Sequence, residues 1–198
     1  MLRRHEECGK GKSADYSVIS YLQLQTKSLL FELDQKSFRC LTQPQNRLIA
    51  ECFEEFLYYE FAEKYWKEVF KIKFQNEYIE SEYHRRYAQF LYNIGNEDCG
   101  KFEFNCSLKL PNSDDGRRYI NIQTYISWIK CEMMKHIHSI KASKKEQLSS
   151  QLDLVQDLLA KANLIMDDIS DMVLHKNALK DINGIEREIS KLTVSDII

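Results

Sequence analysis

The sequence predicts a mainly α-helical protein: a helical bundle with a small β-hairpin around residues 101–122 and a long C-terminal amphipathic helix of coiled-coil type. Three observations carry that expectation. Helix breakers are scarce, with Gly 6 and Pro 2 in 198 residues, and such a chain favours long helices over many turns. Apolar residues recur at three- and four-residue spacing over most of the length. A seven-residue repeat runs through the C-terminal quarter.

Residues 1–14 carry Gly9, Gly11 and several charges but little that is apolar, and read as a disordered leader. Asp15 is placed to cap a first helix over about 16–35, where Val18, Ile19, Leu22, Leu29, Leu30 and Leu33 form one stripe, with Leu24 and Phe31 off it. Pro44 disfavours helix in the residue before it, so a break is expected near 40–44. Residues 45–92 hold neither Gly nor Pro and read as one long helix, or two with a slight bend. Its aromatic residues, Phe61, Tyr65, Trp66 and Phe70 among them, spread around the cylinder, which implies burial on most sides. Gly95 is placed to end it.

In 101–110 the period changes. Phe102, Phe104, Cys106, Leu108 and Leu110 alternate with polar residues, the strongest strand signal in the chain. The turn-forming run 111–116 and a return over 117–122 complete the expected hairpin. A helix from about 121–124 then places Tyr125, Ile126, Ile129, Met133, Ile137 and Ile140 on one face. Ser143 and Glu146 match a capping box. Beyond them Leu148, Val155, Ala162 and Ile169 lie seven apart, as do Leu158, Ile165, Met172 and Leu179, and Leu152, Leu159, Met166 and Val173. A face three positions wide suits a bundle better than a two-stranded coiled coil. A bend is expected over 176–184, with Ile182, Ile185 and Ile189 on a shifted face. The expected organisation is a leader over 1–14, a helical domain with a hairpin insert over 15–142, and an amphipathic arm over 143–198.

The net charge of -2 lacks the basic excess that phosphate neutralisation demands of a dedicated nucleic-acid binder. The start of the chain lacks the apolar core of an export signal, so the six cysteines are expected as reduced thiols in the cytoplasm or nucleus. No run approaches the length of a membrane span.

Catalytic signatures are absent. There is no G-x-S-x-G elbow, no H-E-x-x-H and no cysteine-protease signature, and the Gly9–Ser13 stretch lacks phosphate-loop spacing. Cys131, His136 and His138, with Cys99 and Cys106 upstream, lack the paired ligand spacing of structural zinc sites, so neither metal nor cofactor is expected. His84, Arg85 and Arg86 read as a solvated helix face.

These observations point to a non-enzymatic helical subunit of a multiprotein assembly, of scaffold or adaptor type. Small subunits of cytoskeletal, mitotic or tethering complexes are built this way, an analogy of fold alone. The expected partner-binding residues are Leu148, Leu152, Val155, Leu158, Leu159, Ile165, Ile169 and Met172, with Phe61, Tyr65, Trp66 and Phe70 as a second, aromatic surface. The alternative is a compact helical adaptor or a nucleic-acid-associated factor using the aromatic and basic segment 64–92, although the glutamates interleaved there repel phosphate.

Overall fold

A computed structural model describes residues 16–36, 41–141 and 145–195, with side chains over 23–35, 41–135 and 151–191. The leader, Asp15 and the Ser143 cap lie outside the described residues. Eight helices and no strand occur among those described, and the contacts divide the chain into two units, Met1–Lys73 and Phe74–Ile198.

The first unit contains α1 (Tyr16–Lys36), α2 (Gln43–Glu55) and α3 (Tyr59–Lys71). Pro44 sits in the first turn of α2, where its missing N–H costs nothing. Gln45 Oε1 accepts from the Thr42 backbone N–H at 2.9 Å, the return arm of a capping box. The core is a nest of rings. Phe53 stacks on Phe61 and Tyr65, and Phe31 meets Phe53, Tyr58 and Phe61 edge-on. Phe31 therefore lies on the packed side of α1, not off it, while Leu24, Leu29 and Leu33 are exposed. The Gln43 side-chain amide donates to the carbonyls of Val69 and Ile72, closing the C-terminal end of α3.

The second unit contains α4 (Glu77–Asn93), α5 (Glu97–Ser107), α6 (Asp115–Lys141), α7 (Lys145–Asp167) and α8 (Met172–Ser195). Its core joins Ala88 of α4, Phe104 of α5, Ile122, Ile126 and Ile129 of α6, Val155, Leu158 and Ala162 of α7, and Ile182 and Ile185 of α8. Helix α6 is central, packing against α4, α5, α7 and α8. Polar groups thread this core. Ser81, Ser107 and Thr124 are buried and linked hydroxyl to hydroxyl at 3.0 and 2.9 Å. The Tyr92 hydroxyl donates to buried Glu132 at 2.5 Å and accepts from the Trp128 indole N–H at 3.0 Å. Burial, followed by the Glu132 hydrogen bond, pushes the Tyr92 phenol above its ordinary range.

Three sequence expectations are corrected. The hairpin over 101–122 is helical: α5 occupies most of 101–110, and α6 begins at Asp115. Its buried face is Gly100, Phe104 and Ser107, a spacing of four and three. Two of those residues are small rather than apolar, so the helical period was masked, and the alternating Phe102 is exposed. Gly100 is small for a reason: a Cβ there would stand 2.5 Å from the Tyr92 ring.

The one long helix, or two with a slight bend, expected over 45–92 is three helices. The first break is a Schellman-type end at which Leu57, with φ of 63°, fills the left-handed position usually given to glycine. The second break is extended at Ile72 and closes on Asn76, whose Oδ1 accepts from the Tyr78 and Ile79 N–H groups. Gly95 ends α4 as expected, with φ of 80°.

The C-terminal arm is not one long helix. It breaks at 168–171 rather than 176–184, and both halves pack on α6. Asp171 Oδ1 caps α8 through the Val173 and Leu174 N–H groups. Asp115, at the head of α6, staples this turn by accepting from the Ser170 hydroxyl and the Ser170 and Asp171 N–H groups at 2.7–3.0 Å. Those bonds hold its carboxyl below the usual carboxylate range. The turn shifts the buried register from Val155, Ala162 and Ile169 to Ala178, Ile182, Ile185 and Ile189.

Candidate functional site

The residues expected to bind a partner fall into distinct environments. Val155, Leu158 and Ile169 are buried in the second unit's own core, and Leu152, Leu159 and Ile165 pack partly against it. Tyr65 and Trp66 are fully buried in the first unit, and Phe61 and Phe70 are half-buried. The Leu148 side chain lies outside the described residues. Met172 alone of the set stands in solvent, 85% exposed. The part of that seam from Leu152 to Ile169 thus packs within the second unit.

The rings of the aromatic and basic segment are largely core: Tyr65, Trp66, Tyr83, Tyr87 and Phe90 are all buried. Lys64, Lys67 and Lys71 pair with Asp34, Glu63 and Glu68.

What remains for contact is the outer side of α8. With 100° per residue, Met172, Val173, Lys176, Leu179, Lys180, Arg187 and Lys191 fall within an arc of about 120°. All seven are exposed, opposite the buried line of Ala178, Ile182, Ile185 and Ile189. The arc holds four cations, three apolar side chains and, in Asn183 and Ser190, two uncharged polar residues, but no acid. Glu186 and Glu188 flank it from either side. Sequence reasoning missed it because Met172, Val173 and Leu179 were assigned to the inner seam, across a turn that resets the register.

Beside this arc, between α6 and α8, lies a cleft of about 300 Å³ lined by Gln123, Ile126, Lys130, Lys180, Asp181 and Glu188, among others. Gly184 also lines it, and a Cβ at that position would meet nothing within 4 Å. Gln123 donates to Asp181 at 2.8 Å across the cleft.

A second chemical cluster lies at the α4–α5 contact. His84 Nδ1 and Glu103 Oε2 are 2.6 Å apart, and the ring leans on Phe74 at 6.4 Å. His84 is thus a packed residue and not a solvated one. The Cys106 thiol joins these two donors, with all three ligand atoms within 4.8 Å of one another. Burial raises the Cys106 thiol above its ordinary range, opposed by Lys109. The side chains of His136 and His138 lie outside the described residues. Cys131 is largely buried on α6, and burial pushes its thiol up to about 12.

No family model, curated relative or solved structure matches the chain.

Proposed function

We propose that this chain is a non-enzymatic helical adaptor, a subunit of a protein assembly, which docks an acidic amphipathic helix of its partner on the outer face of α8. The observation that carries the reading is the acid-free arc of Met172, Val173, Lys176, Leu179, Lys180, Arg187 and Lys191. Three apolar side chains, two of them at 85% and 67% exposure, are left in water on a helix that already has a separate buried face. Apolar contacts of this kind supply the affinity of a helix–helix interface, and the lysines select an acidic partner and speed its approach. The adjacent cleft offers a socket for one partner side chain.

The expected seam of α7 supports the adaptor form over an extended scaffold, because its residues close the protein's own bundle. A cytoplasmic or nuclear location goes with the reading.

The test compares wild type with a Lys176→Glu/Lys180→Glu double variant by quantitative purification from native cells. Both positions are exposed, so the variant should keep its helical content by circular dichroism. The reading expects a defined set of co-purifying proteins to drop at least tenfold, and the contact to weaken with salt. An unchanged set would contradict it. So would loss of binding to anionic vesicles or single-stranded oligonucleotides with no protein partner affected.

A further inference from the structure

We infer that His84, Glu103 and Cys106 form a binding site for a divalent cation of the zinc class, with water completing the coordination shell.

The argument begins with helix periodicity. Glu80 and His84 lie four apart on α4, and Glu103 and Cys106 three apart on α5. Both spacings put side chains on one face of a helix. The α4–α5 contact then turns the two faces toward each other, and one donor atom each from His84, Glu103 and Cys106 come within 4.8 Å. In a tetrahedral zinc site with bonds of about 2.0–2.3 Å, donors stand roughly 3.3–3.8 Å apart. Reaching that separation requires the His84–Glu103 pair, now 2.6 Å apart, to open.

The donor chemistry is selective. A thiolate, an imidazole and a carboxylate suit zinc or cobalt and exclude magnesium and calcium, which take oxygen ligands. Both His84 and Glu103 are mostly shielded, at 17% and 15% side-chain exposure. The Phe74 ring lies 6.4 Å from the imidazole, centroid to centroid.

In the metal-free protein the 2.6 Å contact places a proton between Nδ1 and the Glu103 carboxylate, so metal binding replaces that hydrogen bond and the proton moves to Nε2. With Nδ1 on the metal, a neutral imidazole carries its proton on Nε2. That nitrogen stands 4.0 Å from Glu80 Oε1, beyond hydrogen-bond reach. Binding releases the Cys106 thiol proton to solvent, so affinity falls as pH falls. Three protein ligands leave a fourth position for water.

The site is independent of the α8 face and separable from it. Cobalt(II) titrated into the purified full chain should produce, at one equivalent, the thiolate-to-cobalt charge-transfer absorption of cysteine ligation, and zinc should displace it. Cys106→Ser and His84→Gln should each abolish the band, whereas Cys52→Ser, Cys99→Ser and a Cys8→Ser/Cys40→Ser pair should leave it intact. Glu80→Gln, at a carboxylate outside the ligand set, should keep the band. The absence of a charge-transfer band in the wild type would overturn the inference and leave an ordinary His84–Glu103 ion pair. A band that survives Cys106→Ser would overturn it equally.

Discussion

The two units are held by different physics. In the first, rings pack on rings: Phe31, Phe53, Tyr58, Phe61 and Tyr65 make a chain of stacked and edge-on contacts. Polar links sit at its edge, where the Tyr65 hydroxyl donates to Asp34 and Gln43 closes the end of α3. In the second unit, aliphatic layers surround buried polar chains, Ser81–Ser107–Thr124 and Trp128–Tyr92–Glu132. Ring pairs prefer defined stacked or edge-on geometries. A buried hydrogen-bonded chain is satisfied in one arrangement and costly in others. The second unit's helices are therefore also held by directional bonds through these buried polar chains.

The largest expected effect lies in the ring core. Phe53→Ala removes a fully buried ring that touches four others. It should cost about 3–5 kcal/mol in denaturant unfolding. A loss below about 1 kcal/mol would show that the nest is not cohesive.

In the second unit, Tyr92→Phe keeps the ring and removes one oxygen. It leaves the Glu132 carboxyl with only the 3.3 Å contact to Trp128 and removes that indole's nearer acceptor. The expected loss is about 2 kcal/mol, within the range for hydrogen bonds to a charged or strongly polar partner. A neutral result would mean that the polar chain contributes no specificity.

Leu57→Gly reverses the sign. Leu57 occupies left-handed backbone space with its side chain 68% exposed. Relief of the Cβ clash should stabilise the first unit by roughly 1 kcal/mol.

The smallest effect is a pH dependence of the turn at 168–171. Asp115 has a folded pKa below its unfolded value of 3.8. Its contribution is therefore present above pH 3.8 and lost as the pH falls through the lower folded value. Asp115→Asn should flatten that acid limb in a series of thermal melts. At the alkaline end the sign is opposite. Burial of Cys131 favours folding below 9.0, and that contribution is lost as the pH rises toward about 12.

The helical class was legible because breakers are few and the apolar period of α7 is unambiguous. Val155, Leu158 and Ala162 are buried as the heptads suggest. Two kinds of information were not legible. The first is a helix whose inner face is made of small residues. Gly100 and Ser107 carry no hydrophobic signal, so the alternation of Phe102, Phe104 and Cys106 dominated. That error hid the ligand cluster as well: in a strand Glu103 and Cys106 point to opposite faces, and in a helix they share one. The second is a helix end with no breaker residue. Leu57 adopts a glycine-like conformation that its identity does not announce. The turn at 168–171 depends on Asp115, more than 50 residues upstream, which no local reading of the arm could supply.

The central claim is that the apolar seam of α7 closes the second unit's own bundle, leaving the outer face of α8 for a partner. Amide hydrogen exchange on purified, partner-free protein tests it most directly. The account predicts that amides of 155–166 exchange as slowly as those of 122–133 in α6, against which they pack. Rapid exchange over 155–166 while α6 stays protected would contradict it, and would return that seam to the role of an intermolecular interface.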